Sequence, residues 1–145
     1  MPSPRIAKEN NYGCYFLTFT IKNWYYLLDR YERWNVLLEI LRFYQKDRNI
    51  KVYSWVFMLN HIHLLVEGDK ISEFARDFKR YSSRKIKENI LRTEPQIVDL
   101  FIEENGEYEF WQETNMPEMI EDQKFFNQKK HYIENNPVRK LYVKS

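Results

Sequence analysis

Apolar and polar positions alternate from Tyr15 to Ile21, where large hydrophobic residues are interleaved with threonines, and this period of two predicts a β-strand. From Leu27 to Lys46 the pattern changes. Leu28, Tyr31, Val36, Leu38, Leu41 and Phe43 recur among charged residues, which predicts a helix ending near Asp47-Arg48-Asn49. Ile50 to Met58 is rich in β-branched and aromatic residues and predicts a second strand. Leu59-Asn60 then forms a tight turn into a third strand that ends near Gly68. Ser72 reads as the N-cap of a second helix, whose apolar face is Phe74, Phe78 and Tyr81 and which runs to about Leu91. Residues 95 to 105 suit either a short helix or an irregular insertion. Tyr108 to Gln112 predicts a fourth strand and Pro117 to Asn135 a last helix, which Pro137 limits. The order strand, helix, strand, strand, helix, strand, plus an appended helix, is that of an α+β, ferredoxin-like fold: an antiparallel sheet with two helices on one face.

Composition narrows the class. The 145 residues fit one domain, 1–145, with a sizeable core. Hydrophobic residues make up 43% of the chain, which argues against wholesale disorder. No apolar run approaches the roughly 20 residues of a membrane-spanning helix. Met1-Pro2-Ser3-Pro4-Arg5 carries no apolar signal segment, and Cys14 has no second cysteine to pair with. A soluble cytoplasmic protein with no membrane partner is expected.

The formal net charge of +2 is too small to announce a polyanion partner, but its distribution is uneven. Residues 70 to 92 hold eight basic side chains and three acidic ones; residues 93 to 122 hold ten acidic side chains and no Lys or Arg. Such asymmetry marks either a face for a polyanion or a solvated helix beside an acidic loop.

The third strand carries the chemistry. In Asn60-His61-Ile62-His63-Leu64-Leu65-Val66-Glu67 the two histidines lie two residues apart, so both imidazoles project from one face while Ile62, Leu64 and Val66 fill the other. Neutral imidazoles paired in this way can hold a divalent metal. Glu67 shares their face but sits at the strand's end, where a rim position is expected. His131, the remaining histidine, is expected to face elsewhere.

Five segments carry a resemblance. They are Tyr15-Phe16-Leu17-Thr18-Phe19-Thr20, the His61-Ile62-His63 motif with its flanks, Phe78-Lys79-Arg80-Tyr81-Ser82-Ser83 with Phe110-Trp111-Gln112, and Tyr132-Ile133-Glu134-Asn135-Asn136-Pro137-Val138-Arg139. In this order they resemble the single-tyrosine HUH transposases, and among them the REP-associated tyrosine transposases. The resemblance implies a prokaryotic, nucleoid-associated, metal-dependent endonuclease and strand-transferase acting on single-stranded or hairpin DNA. It makes Tyr132 the nucleophile, which forms a 5′-phosphotyrosine link and frees a 3′-hydroxyl. It implies Mg²⁺ or Mn²⁺, held by His61 and His63 with Asn136, four residues after Tyr132, as third ligand. Imidazoles by themselves suit Zn²⁺ or Mn²⁺ better than Mg²⁺. The residue chemistry agrees: a free phenol, with a pKa of about 10, is a poor nucleophile at neutral pH and needs an electrophile polarised for it.

DNA is expected along the basic helix, at Arg76, Lys79, Arg80, Arg84 and Lys87, and at Arg139. The chain departs from the family after Trp111-Gln112, where the run Glu113-Thr114-Asn115-Met116-Pro117-Glu118 is acidic and lacks the usual histidine. Three readings stay open: a strand-transferase, an insertion-sequence dimer with tyrosine helices serving the partner, and a catalytically silent hairpin-binding protein. A monomer and a homodimer are both compatible with the sequence.

Overall fold

A computed structural model of the chain describes residues 12–114 and 116–140, with side chains to residue 135. Its elements follow the order β1 (Gly13–Thr20), α1 (Arg33–Asp47), β2 (Lys51–Phe57), β3 (His61–Gly68), α2 (Ile71–Thr93), β4 (Glu118–Ile120) and α3 (Gln123–Lys140). Short 3-10 turns occupy Lys22–Trp24 and Pro95–Phe101. The four strands form one antiparallel sheet in the order β2-β3-β1-β4. This is the α+β, ferredoxin-like arrangement that the alternation of elements predicts.

The register of β1 against β3 sorts the side chains. Leu17 pairs with Leu64 and Phe19 with Ile62, while Thr18 pairs with His63 and Thr20 with His61. Directly opposed residues share a face, so one face is wholly apolar and the other collects the histidines. The apolar face packs under α1 and α2. Leu37, Ile40, Leu41 and Tyr44 supply one helical stripe, and Phe74, Phe78, Ile86 and Ile90 supply the other. A smaller cluster on the opposite face, Phe16, Val56, Met58, Leu65 and Ile133, seats α3. A bulge between Val52 and Ser54 in β2 adds one residue, Tyr53. Such an insertion re-aims side chains, and Tyr53 here packs against Phe126 of α3 at 5.0 Å between ring centroids.

Four elements differ from expectation. Helix α1 begins at Arg33, not Leu27, because Tyr31 and Glu32 take left-handed backbone conformations (φ 58° and 63°). The N–H groups of Leu27 and Leu28 instead donate to the Leu59 carbonyl, so the two leucines are buried from a loop. The cap of α2 is Lys70 in a left-handed conformation, and Ser72 lies inside the first turn. The fourth strand is Glu118–Ile120, not Tyr108–Gln112. Phe110 and Trp111 are consecutive and both buried, which a half-buried strand with period two does not permit. The 108–112 segment makes single bridges at Ile102–Tyr108 and Ile21–Trp111, and the Trp111 indole N–H donates to buried Ser82 Oγ at 2.9 Å. Helix α3 starts at Gln123 rather than Pro117, because Asp122 caps it: its Oδ1 accepts the Phe125 N–H at 2.8 Å. The backbone of α3 continues past Pro137 to Lys140. Proline's fixed φ is itself helical, and its cost is one missing N–H bond and a clash with the preceding turn.

Candidate functional site

The site is built on the α3 face of the two central strands. His63 lies in the middle of the sheet, 7% exposed. Its ring stacks on Phe16 of β1 (centroids 5.0 Å, interplanar 23°), and its Nδ1 shares a hydrogen bond with Thr18 Oγ1 at 2.9 Å. His61, one strand repeat away, stands at 4.8 Å from the His63 ring, and its Nδ1 meets Asn60 Oδ1 at 2.7 Å. The side-chain carbonyl oxygen of Asn60 accepts, which places the His61 proton on Nδ1. A hydrogen bond at Nδ1 is what orients an imidazole for metal binding through Nε2. Burial, then the neighbouring His61 and Lys129 charges, pull the His63 pKa down from 6.5 to about 3. The ring is therefore neutral at physiological pH, the form that binds metals. The two oriented imidazoles could together hold a divalent cation; among the described residues no cluster of three His, Cys, Asp or Glu suits a metal.

Helix α3 brings Tyr132 to this pair. Ile133, 1% exposed, anchors the helix in the small cluster with Phe16 and Leu65. That anchoring presents Tyr132 edge-on to His63 at 5.5 Å and to Phe16 at 6.1 Å, with 41% of the tyrosine still exposed. The ammonium of Lys129, one turn earlier, lies 4.5 Å from the Phe16 ring centroid and 5.9 Å from that of Tyr132, and pairs with Glu118 of β4 at 2.7 Å. A cation and an aromatic hydroxyl thus flank the imidazoles from one helix. The side chain of Asn136 and that of Arg139 lie outside the described residues.

His131 points away from the site; it is exposed, and Asn135 Nδ2 bonds its carbonyl and ring. Glu67 sits at the far end of β3 and accepts the hydroxyls of Tyr12 (2.9 Å) and Tyr53 (2.5 Å). Those two bonds hold its carboxyl below the usual range. It takes no part in the histidine cluster, as its rim position implies.

Of the expected DNA contacts on α2, Lys79, Arg80, Arg84 and Lys87 line one open cleft of about 410 Å³ with Ser83 and residues 108–111. Arg76 is elsewhere, paired with Asp77 at 3.1 Å, which also binds Arg48. Lys79 reaches the Glu113 carbonyl, and Lys87 lies over the Tyr108 ring at 5.0 Å. The acidic run after Trp111 therefore borders the basic cleft. Gln112 N–H donates to the Thr20 carbonyl at 2.8 Å, and Thr20 pairs with His61, so the cleft opens beside the histidine end of β1.

Four residues of this site carry no role in the sequence reading: Phe16, Thr18, Lys129 and Glu118. Phe16 and Thr18 alternate on one face of β1, but only the β1–β3 register sets them against His63. Lys129 stands three residues before Tyr132, a spacing that shares a helix face, yet its partner Glu118 comes from a strand that the pattern does not predict.

Comparison with known proteins supplies the family. The chain superposes on a REP-associated tyrosine transposase bound to a REP hairpin with a TM-score of 0.68 at 21% identity, covering 99% of this chain and 76% of that one. It also superposes on a candidate transposase from Deinococcus radiodurans R1 with a TM-score of 0.57 at 20% identity, covering 93% and 97% of the two chains. No curated protein matches significantly. At those identities the likeness establishes the fold. The sequence itself matches the family described as IS200-like transposases over residues 12–136, and the chain belongs to that family.

Proposed function

We propose that this transposase-family protein cuts and rejoins single-stranded DNA through a covalent tyrosine intermediate, acting next to hairpins. The observation that carries the reading is the approach of Tyr132 to His63 within a single chain, 5.5 Å between ring centroids. A solved protein of the same fold is bound to a REP hairpin, which supports hairpin DNA as the substrate.

His61 and His63 would hold Mg²⁺ or Mn²⁺ through Nε2, with Asn136 as a third ligand; when bound, the cation supplies polarisation of the scissile phosphate and compensation of its charge. The protein's own groups do the rest. Thr18 and Asn60 fix the two rings through Nδ1. Ile133 fixes the helix that aims Tyr132. The Tyr132 oxygen attacks phosphorus, a P–O bond to tyrosine forms, and the bond from phosphorus to the 3′-oxygen breaks. The phenol proton leaves to solvent, to which Tyr132 is open, and the departing 3′-oxygen takes up a proton to become the 3′-hydroxyl. Attack of a DNA 3′-hydroxyl on the phosphotyrosine reverses these steps and reseals a strand. Lys79, Arg80, Arg84 and Lys87 neutralise phosphates alongside, and affinity accordingly falls with salt.

The test is a denaturing gel. Incubation with a hairpin-bearing single strand and Mn²⁺ leaves a denaturant-resistant protein–DNA adduct that peptide mapping places on Tyr132. Tyr132→Phe abolishes both adduct and nicking and keeps DNA affinity. An adduct mapped to another residue, or binding with no cleavage by the wild-type protein, refutes the reading; the second result leaves the silent hairpin binder.

A further inference from the structure

The loop that follows β1 carries exposed aromatic residues that nothing in the proposed chemistry uses. Trp24 is 64% exposed and Tyr26 62%. Large aromatic side chains this open cost solvation unless something covers them. The backbone at Asn23 and Trp24 is left-handed, with φ of 60° and 58°. For a side chain as bulky as Trp, positive φ is a genuine outlier, and such strain concentrates at functional sites. The loop is nonetheless firmly held. Trp24 N–H donates to Ile21 O at 3.0 Å, Lys22 N–H to Phe110 O at 2.8 Å, and Leu27 and Leu28 to Leu59 O. Asn60 Nδ2 donates to Trp24 O at 3.3 Å, and the other end of the same amide orients His61. One side chain therefore ties Trp24 to a candidate metal ligand. On the other flank, the 22–110 bond joins the loop to the segment that walls the basic cleft.

We infer that Trp24, two residues before the likewise exposed Tyr26, is a stacking platform for an unpaired nucleobase next to the phosphate that is cut. This rests on the single-strand reading above and adds where one base of that strand is held. The occupant follows from the neighbours. The positive charge of Lys79, Arg80, Arg84 and Lys87 suits a phosphate backbone passing the end of β1. An aromatic face within the same end of the molecule suits the bases that such a backbone carries. A rigid loop makes the platform pre-formed, so stacking there costs little further ordering. Asn60 then couples base position to His61, and a misplaced base is felt at the phosphate.

Binding in the absence of divalent cations keeps the strand intact, and fluorescence anisotropy reads it. The probes are a DNA hairpin with unpaired flanks and the same hairpin without them. Trp24→Ala weakens the flanked DNA on the order of 5- to 100-fold, the range for losing one stacked base, and leaves the unflanked hairpin unchanged. Trp24→Phe recovers most of the loss. The salt slope stays as in wild type, because stacking releases no counterions. An abasic sugar walked through the flanks of wild-type complexes finds one position that reproduces the loss, and that position has no further effect on Trp24→Ala. Equal weakening of both DNAs, no weakening, or an abasic scan without a special position overturns the platform. The abasic scan and Trp24→Phe decide the matter if the alanine variant does not fold. If wild-type protein binds neither DNA, the DNA reading itself fails; if it binds both and Trp24 is irrelevant, only the platform does.

Discussion

On the face of the sheet under α1 and α2, Leu17, Ile62, Leu64 and Phe78 have no solvent exposure at all, and even a charged residue is sealed in. Arg33 there donates to Asn89 Oδ1 and to the Leu27 carbonyl, both at 2.9 Å, and pairs with Glu94 at 2.9 Å. On the opposite face, α3 is held by Ile133 among Phe16, Val56, Met58 and Leu65 and by Phe126 against Tyr53, and beside that small cluster lie the imidazoles, the Thr18 hydroxyl and the open Tyr132. One face removes apolar area from water; the other keeps polar groups oriented and reachable. The contrast teaches where stability and chemistry are divided in so small a chain. A buried leucine contributes roughly 1.5–3 kcal/mol, and positions given to His61, Thr18 and Tyr132 forgo it. The helix face has to carry the fold.

The largest expected effect separates the faces by function. His61→Ala reduces metal-dependent cleavage by about a thousand-fold or more and abolishes Mn²⁺ binding by calorimetry, yet shifts the urea midpoint little because His61 is only half-buried. A variant that keeps Mn²⁺ affinity breaks the assignment of that face. Next come substitutions on the helix face. Leu64→Ala costs about 2–5 kcal/mol in urea unfolding. Arg33→Leu takes the 2.9 Å donor from buried Asn89 Oδ1 and removes a partner of Glu94, costing about 2–4 kcal/mol. Neither changes the cleavage rate of the folded fraction, and a selective loss of cleavage in either would mean that the two faces are coupled.

Ile133→Ala sharpens the comparison from the other side. It removes about 2 kcal/mol, the low end for such a truncation because the cluster is small, and lowers cleavage more than DNA affinity, since α3 then aims Tyr132 less well. Hydrogen exchange should report faster exchange in α3 with α2 unchanged.

The smallest effect is at the rim. Tyr53→Phe deletes a hydroxyl that holds the Glu67 carboxyl below its ordinary value of 4.5. A depressed carboxyl pKa contributes stability above the unfolded value and loses it as pH falls through the folded value. The stability gap between wild type and Tyr53→Phe is thus present at pH 7 and shrinks below pH ~4. A gap of the same size at pH 3 in urea titrations would assign it to the Tyr53–Phe126 packing instead.

What the sequence by itself determined is what short-range periodicity encodes. The alternation of His61, Ile62, His63 and Leu64 put both imidazoles on one face, because side chains on a strand repeat every two residues. The helical stripe of α2 was equally legible, since Phe74 and Phe78 recur one turn apart. Tertiary structure decided everything that depends on which distant segments meet. Leu27 and Leu28 read as helix, but their N–H groups are taken by the carbonyl of Leu59. Phe110 and Trp111 read as a strand, but both side chains are buried and Trp111 is bonded to Ser82 of α2. The pairing of Thr18 with His63, the seat of Lys129 between Phe16 and Glu118, and the link from Trp24 through Asn60 to His61 are likewise products of strand register and loop closure. No local pattern specifies such partners, because a hydrogen bond or a stacked ring is made by whichever residue the finished fold brings within reach.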